Sequence, residues 1–132
     1  MTTALLDANV LIALTVVEHE HHERASSWIT VVERFAVCPI VEGALVRFLV
    51  RVGESADSAT ALVRAVRDHP GCEFWADSVS YGDVDLRSVR GHRQVTDAYL
   101  IGLARAMGGV LATLDEGIAA VYPDSVALLP PV

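Results

Sequence analysis

Short apolar runs alternate with longer segments of helical period along this chain, and few folds accommodate such an alternation. Thr3 to Leu6 is apolar up to the turn Asp7-Ala8-Asn9, after which Val10, Leu11, Ile12 and Leu14 continue as a buried helix. From Glu18 to Arg34 the positions Ala25, Trp28, Ile29 and Val32 recur at helical spacing among charged residues, which predicts an amphipathic helix. Phe35 to Cys38 reads as a strand stopped by Pro39. Ile40 to Val52 carries the apolar stripe Leu45, Phe48, Leu49 and Val52 and ends at Gly53. Ser55 or Ser58 caps a further helix bearing Ala59, Leu62, Val63 and Val66, and Glu73 to Ala76 is a third strand. Thr96 reads as the N-cap of a helix that runs to Met107 and stops at Gly108-Gly109. Val110 to Thr113 is a fourth strand, Asp115 to Ala120 a helical turn, and Val126 to Leu129 a last strand. Only Tyr81 to Gln94, polar and punctuated by Gly82 and Gly91, has no clean period. Strands and helices taken in turn predict an α/β fold whose parallel sheet carries helices on both faces.

A chain of 132 residues accommodates one domain with a real core and is short for two, so residues 1–132 are expected to form a single domain. With 52% hydrophobic and 20% charged residues spread along its length, it has the composition of a folding chain. The most apolar run, Ala4 to Val17, is broken at Asp7 and Asn9 and falls short of the roughly 20 residues of a membrane helix. No basic residue precedes that run, and Cys38 and Cys72 lack a C-x-x-C partner; buried thiols in a reducing cytoplasm are the expectation. All basic residues are Arg, so mechanisms that need a phosphate-binding or catalytic lysine, P-loop NTPases and response-regulator receivers among them, are excluded. The net charge of −7 has the wrong sign for bulk attraction to nucleic acid, and any such contact must be local, through arginines or a metal.

In an open parallel sheet the functional crevice lies beyond the carboxyl ends of the strands. Asp7 directly follows the first strand there, and Asp115 follows the fourth after one residue, Leu114. Asp97 falls in the first turn of its helix, where the dipole favours the ionised form, and Glu42 is similarly early in the helix after Pro39. Each acid alone has an ordinary explanation as a turn or helix-start residue. Together, four acids converging on one edge would repel one another and raise their pKa values unless a divalent ion neutralised them. Oxygen ligands of this kind favour Mg²⁺ or Mn²⁺ over zinc. An ion held with open positions orients and deprotonates a water and stabilises charge on a phosphodiester. Asp7 and Asp97 are cast as primary ligands, Glu42 as ligand or general base, Asp115 as ligand to a second ion or through water, and Asn9 and Thr113 as hydrogen-bonding supports.

The segments Leu5-Leu6-Asp7-Ala8-Asn9-Val10-Leu11-Ile12, Val41-Glu42-Gly43-Ala44, Thr96-Asp97-Ala98-Tyr99-Leu100 and Ala112-Thr113-Leu114-Asp115 together resemble the PIN-domain family, and within it the VapC-type toxins. The string from Gly91-His92-Arg93-Gln94 into Thr96-Asp97 adds to the resemblance, which covers nearly the entire chain. It implies a three-layer α/β/α domain, metal-dependent endoribonuclease activity on an RNA substrate, a cognate antitoxin that wraps the toxin and blocks its site, and a homodimer. The family's acidic positions fall on Asp7, Glu42, Asp97 and Asp115, and none is missing.

A haloacid-dehalogenase phosphatase also places an Asp after its first strand but needs a second Asp two residues on, where this chain has Asn9. The other alternative is a catalytically silent PIN-like module that keeps only a binding surface, against which the intact acid set argues. Arg87, Arg90, His92 and Arg93, just before Asp97, are candidates for the local positive patch that meets RNA phosphates, or else a solvated loop. The run His19, His21, His22 lacks a partner segment that would complete a metal site, and Trp28 reads as core or partner interface rather than as a base-stacking platform.

Overall fold

The computed structural model describes residues 2–132. Five parallel strands form one sheet in the order β3-β2-β1-β4-β5: β1 (Ala4–Leu6), β2 (Phe35–Val37), β3 (Cys72–Phe74), β4 (Val110–Thr113) and β5 (Val126–Leu128). The central strands are continuous apolar runs because a sheet covered on both faces has no solvent side. Every residue of β1 and β2 is buried, as are Leu111, Ala112 and Thr113 of β4.

The chain moves from β1 outward to β2 and β3 through α1 (Ala8–Thr15), α2 (His22–Ile29), α3 (Pro39–Arg51) and α4 (Ala56–Arg67). It then crosses back to β4 through α5 (Val95–Ala106) and reaches β5 through α6 (Glu116–Val121). Right-handed crossovers in opposite directions put helices on opposite faces. Accordingly α1 packs on α2 and α3, and α3 on α4, while α5 lies against β1 and β4. The three-layer α/β/α architecture expected from the sequence is the one observed. No described helix is long and apolar enough to cross a membrane.

Helix ends follow local chemistry. Pro39 occupies the first turn of α3, and the Ser55 hydroxyl accepts from the Ser58 amide to cap α4. Gly108, with φ of 74°, supplies the left-handed residue that stops α5. Gly109 follows because a Cβ there would sit 2.4 Å from the Thr3 carbonyl oxygen, which the Val110 amide meets at the start of the β1–β4 pair.

Three sequence expectations need correction. The helix expected over Glu18 to Arg34 is only His22–Ile29, because the His19 and His22 amides bond back to Val16 and His19 in tight turns, and the His19 ring accepts from the His21 amide. The third strand is Cys72–Phe74 rather than Glu73 to Ala76, although the Trp75 amide still bonds the Val37 carbonyl. Thr96 does not cap α5: a 3₁₀ turn, His92–Gln94, feeds straight into the helix at Val95 and places Gln94 at the boundary. Trp28 is partly buried against the core, Cys38 is fully buried, Cys72 is half-buried, and both thiols are free.

Candidate active site

Strand order reverses between β1, which leads away to β2, and its neighbour β4, to which the chain returns. The carboxyl ends of these two strands therefore open on the crevice where an α/β sheet gathers functional groups. Asp7 emerges from β1 in extended conformation and caps α1, one carboxylate oxygen accepting from the Ala8 amide at 2.8 Å. Its other oxygen accepts from the Thr113 hydroxyl at the end of β4, at 2.7 Å. That hydroxyl also accepts from Asn9 Nδ2 at 3.3 Å and from the Asp115 amide at 3.1 Å. A threonine hydroxyl has one proton and two lone pairs, so these three bonds exhaust it. Asn9 Oδ1 accepts in turn from the Leu114 amide at 3.3 Å, which ties the start of α1 to the loop after β4. Asp7 is 5% exposed and Thr113 0%, so the arrangement is locked in the interior.

Asp115 is exposed and caps α6, its Oδ1 accepting from the Ile118 amide at 3.1 Å. Asp97, half-buried in the first turn of α5, has no hydrogen-bond donor on its carboxylate among the described residues. Burial first, then Asp7 and Asp115, push its carboxyl up from 3.8 to about 6. At about 1.4 kcal/mol per pH unit that displacement outweighs the roughly 0.3–1 kcal/mol a helix start contributes, so the dipole does not decide its ionisation. Burial likewise raises Asp7 and Asp115 adds to it, against the Thr113 and Ala8 hydrogen bonds that pull it down. The three aspartates thus feel one another's charge, and none belongs to an ion pair among the described residues.

Glu42 comes to the same edge of the sheet from the neighbouring strand, β2. It occupies the first turn of α3, half-buried, and burial raises its carboxyl; the charges that act on it are Arg67 and Asp77, not the three aspartates. Of the four acids expected from the sequence, Asp7, Asp97 and Asp115 are linked by charge, and Glu42 enters from α3, which starts at the carboxyl end of β2, the strand next to β1. Sequence reasoning also passed over Asp77, which follows β3 on the same edge of the sheet. The signal that singles out Asp7 and Asp115, an acid just past a strand, would have found it.

A cleft of about 400 Å³ is lined by Asp97 and Asp115 together with Arg93, Gln94, Ile118 and Tyr122. Of the four basic residues before α5, only Arg93 lines it. Arg87 is committed to Asp85 through bonds of 3.0 and 2.8 Å, Arg90 donates to the Arg87 carbonyl at 2.9 Å, and His92 is exposed on its turn. As the side chains stand, no three His, Cys, Asp or Glu among the described residues close on one point. The donor set nevertheless suits a hard divalent cation: carboxylate oxygens on three elements, partly desolvated, with no arginine paired to them.

A family model described as the PIN domain matches residues 4–122. The chain belongs to the PIN-domain family. Among PIN proteins, Ribonuclease VapC29 of Mycobacterium tuberculosis is 53% identical over 129 residues, 97% of this chain and 97% of that protein, which puts the chain among the VapC members. Two solved structures share the PIN fold. VapC20 of M. tuberculosis, described as a sarcin–ricin loop cleaving toxin, superposes with a TM-score of 0.73 at 17% identity over 96% of this chain and 99% of that one. VapBC2 from Rickettsia felis, bound to a DNA fragment from its promoter, gives 0.67 at 12% identity over 97% and 99%.

Proposed function

We propose that this chain is a ribonuclease, the toxin of a toxin–antitoxin pair, which hydrolyses RNA phosphodiester bonds with a divalent ion held by Asp7, Asp97 and Asp115. One observation carries the reading: Asp97 and Asp115 line one cleft, Asp7 lies buried close enough for its charge to act on Asp97, and no cationic side chain among the described residues pairs with them. Such a group is costly as it stands and becomes favourable when it binds Mg²⁺ or Mn²⁺. Kinship with Ribonuclease VapC29 over the whole length supports RNA as substrate and an antitoxin protein as partner.

In this mechanism Asp7 is the fixed ligand, held by the Thr113 hydroxyl and the Ala8 amide. Asp97, free of donors among the described residues, and Asp115, with one oxygen outside its capping bond, would complete the grip. A divalent ion held there would supply an activated water and would stabilise the charge that builds on the phosphate. Thr113 and Asn9 keep the strand ends in register, so that the carboxylates need not rearrange as charge develops. Arg93 meets the phosphate from the cleft wall. Glu42, in the first turn of α3 at the end of the neighbouring strand, is a further ligand or the general base.

The test is cleavage of an oligoribonucleotide by the purified protein with Mg²⁺ or Mn²⁺, with EDTA as control. Asp7→Asn and Asp97→Asn should abolish cleavage while circular dichroism stays that of the parent. Undiminished cleavage by Asp97→Asn, or by the parent in excess EDTA, removes the proposed mechanism.

A further inference from the structure

We propose that the cleft between α5 and α6 is a nucleotide subsite in which Tyr122 stacks on an unpaired base beside the scissile phosphate. The inference rests on the ribonuclease reading and names the form of RNA the site accepts. The cleft has two unlike ends: Asp97 and Asp115 at one, and Tyr122 at the other. Asp115 caps α6 at its start and Tyr122 ends it. At the rise of a helix they stand about 10 Å apart along the axis, so a group that reaches Tyr122 is not the phosphate held at the acids.

Tyr122 is half-buried: it packs against the edge of the core and lines the cleft with the rest of its surface. Its ring is backed by Arg105, whose guanidinium carbon stands 6.0 Å from the ring centre and whose Nε donates to Ser125 Oγ at 2.8 Å. Ile118, one turn earlier on the same face of α6, extends the apolar wall. An aromatic ring braced from behind and lining a cleft of about 400 Å³ is a surface for a flat, apolar-faced group.

The chain's charge says why such a surface is needed. At a net −7 the protein gains nothing from bulk attraction to RNA, and Arg93 is the one basic side chain that lines the cleft. Beyond the phosphate contacts of the ion and Arg93, further affinity is available from a contact indifferent to charge, and stacking of a base on an aromatic ring is such a contact. A base locked in a duplex cannot present its face to Tyr122 without first unstacking, so the site selects single-stranded segments, loops and bulges.

Binding is measured in the Asp97→Asn background, where cleavage is expected to be slow beside the measurement, by fluorescence anisotropy on a labelled single-stranded oligoribonucleotide containing the parent's cleavage site and on the same strand in a duplex. Tyr122→Ala is expected to weaken single-strand binding about 5- to 140-fold, the equivalent of the 1–3 kcal/mol typical of one stacked base. Tyr122→Phe should bind within about twofold of the parent, whereas Tyr122→Leu, which keeps apolar packing, should lose most of what Tyr122→Ala loses. An abasic site at one flanking position should weaken the parent and leave Tyr122→Ala unchanged. Parent-like binding by Tyr122→Leu, or an abasic penalty that persists in Tyr122→Ala, overturns the subsite. Cleavage by the active parent is scored separately: its absence defeats the ribonuclease reading, and its presence beside either of those binding results defeats the subsite alone.

Discussion

The two ends of the sheet treat carboxylates in opposite ways. Toward the amino ends of the strands, Glu73 on β3 accepts from Arg34 at 2.6 Å, from the Trp75 indole at 3.1 Å and from the Thr3 hydroxyl at 3.1 Å. Those donors, Arg34 first, hold its carboxyl below the ordinary range. At the carboxyl ends Asp7, Asp97 and Asp115 have only a hydroxyl and backbone amides, and each other's charge. One end therefore holds an acid whose charge helps the fold, and the other holds Asp97, whose charge the fold disfavours. Helix capping accounts for Asp7 and Asp115 but nothing in the fold accounts for Asp97, so the contrast points to function there.

Four experiments would break or sharpen this contrast. The largest effect is expected from Asp97→Asn: cleavage should fall about a hundredfold or more, since an ion grip is worth several kcal/mol to the transition state. The metal-free variant should at the same time melt above the parent, because a charge disfavoured by its neighbours is gone. Thr113→Val comes next. It removes the hydroxyl that Asp7, Asn9 and the Asp115 amide share, and cleavage should drop about 10- to 100-fold, as for other groups that orient ligands. A parent-like rate for this variant would show that Asp7 does not depend on its partner for placement.

Acidity is the third probe. Asp97 has a folded value, about 6, above its unfolded 3.8, so the fold holds the proton more tightly than the unfolded chain does. Its contribution to stability is complete below about pH 4 and is lost as pH rises through about 6. Melting curves of the metal-free protein should show that contribution as the difference between the parent and Asp97→Asn, and Mg²⁺ should reverse its sign by binding the ionised form. No difference between the two proteins across that range would contradict the electrostatic picture. Glu73→Gln should have the smallest effect. Its carboxyl is lowered, so its contribution is present above its ordinary 4.5 and fades on acidification. As a partly exposed pair with Arg34 it should cost about 0.2–1 kcal/mol in thermal unfolding, with cleavage unchanged.

What the sequence discloses tracks what is local. β1, β2 and β4 are legible as apolar runs because burial on both faces leaves no polar position to blur them. The start of α2 is not, because the bonds that hold Val16 to His22 in turns instead of a helix involve particular histidine atoms that periodicity does not weigh. Thr96 is a good capping residue by type, yet the turn His92–Gln94 already delivers the chain in helical register. For the site, the positions of Asp7 and Asp115 follow from strand ends alone. That Glu42 comes to the same edge depends on β2 pairing with β1, a fact of strand order that no single segment carries. The same order brings Asp77 beside Glu42.

The hydroxyl shared by Asp7 and Asp115 joins positions 106 residues apart in the case of Asp7 and Thr113. A ribosome releases the first of these long before the second has been made. The proposed site is therefore incomplete until β4 has been made, and a chain interrupted anywhere before β4 carries Asp7 without the partner that aims it.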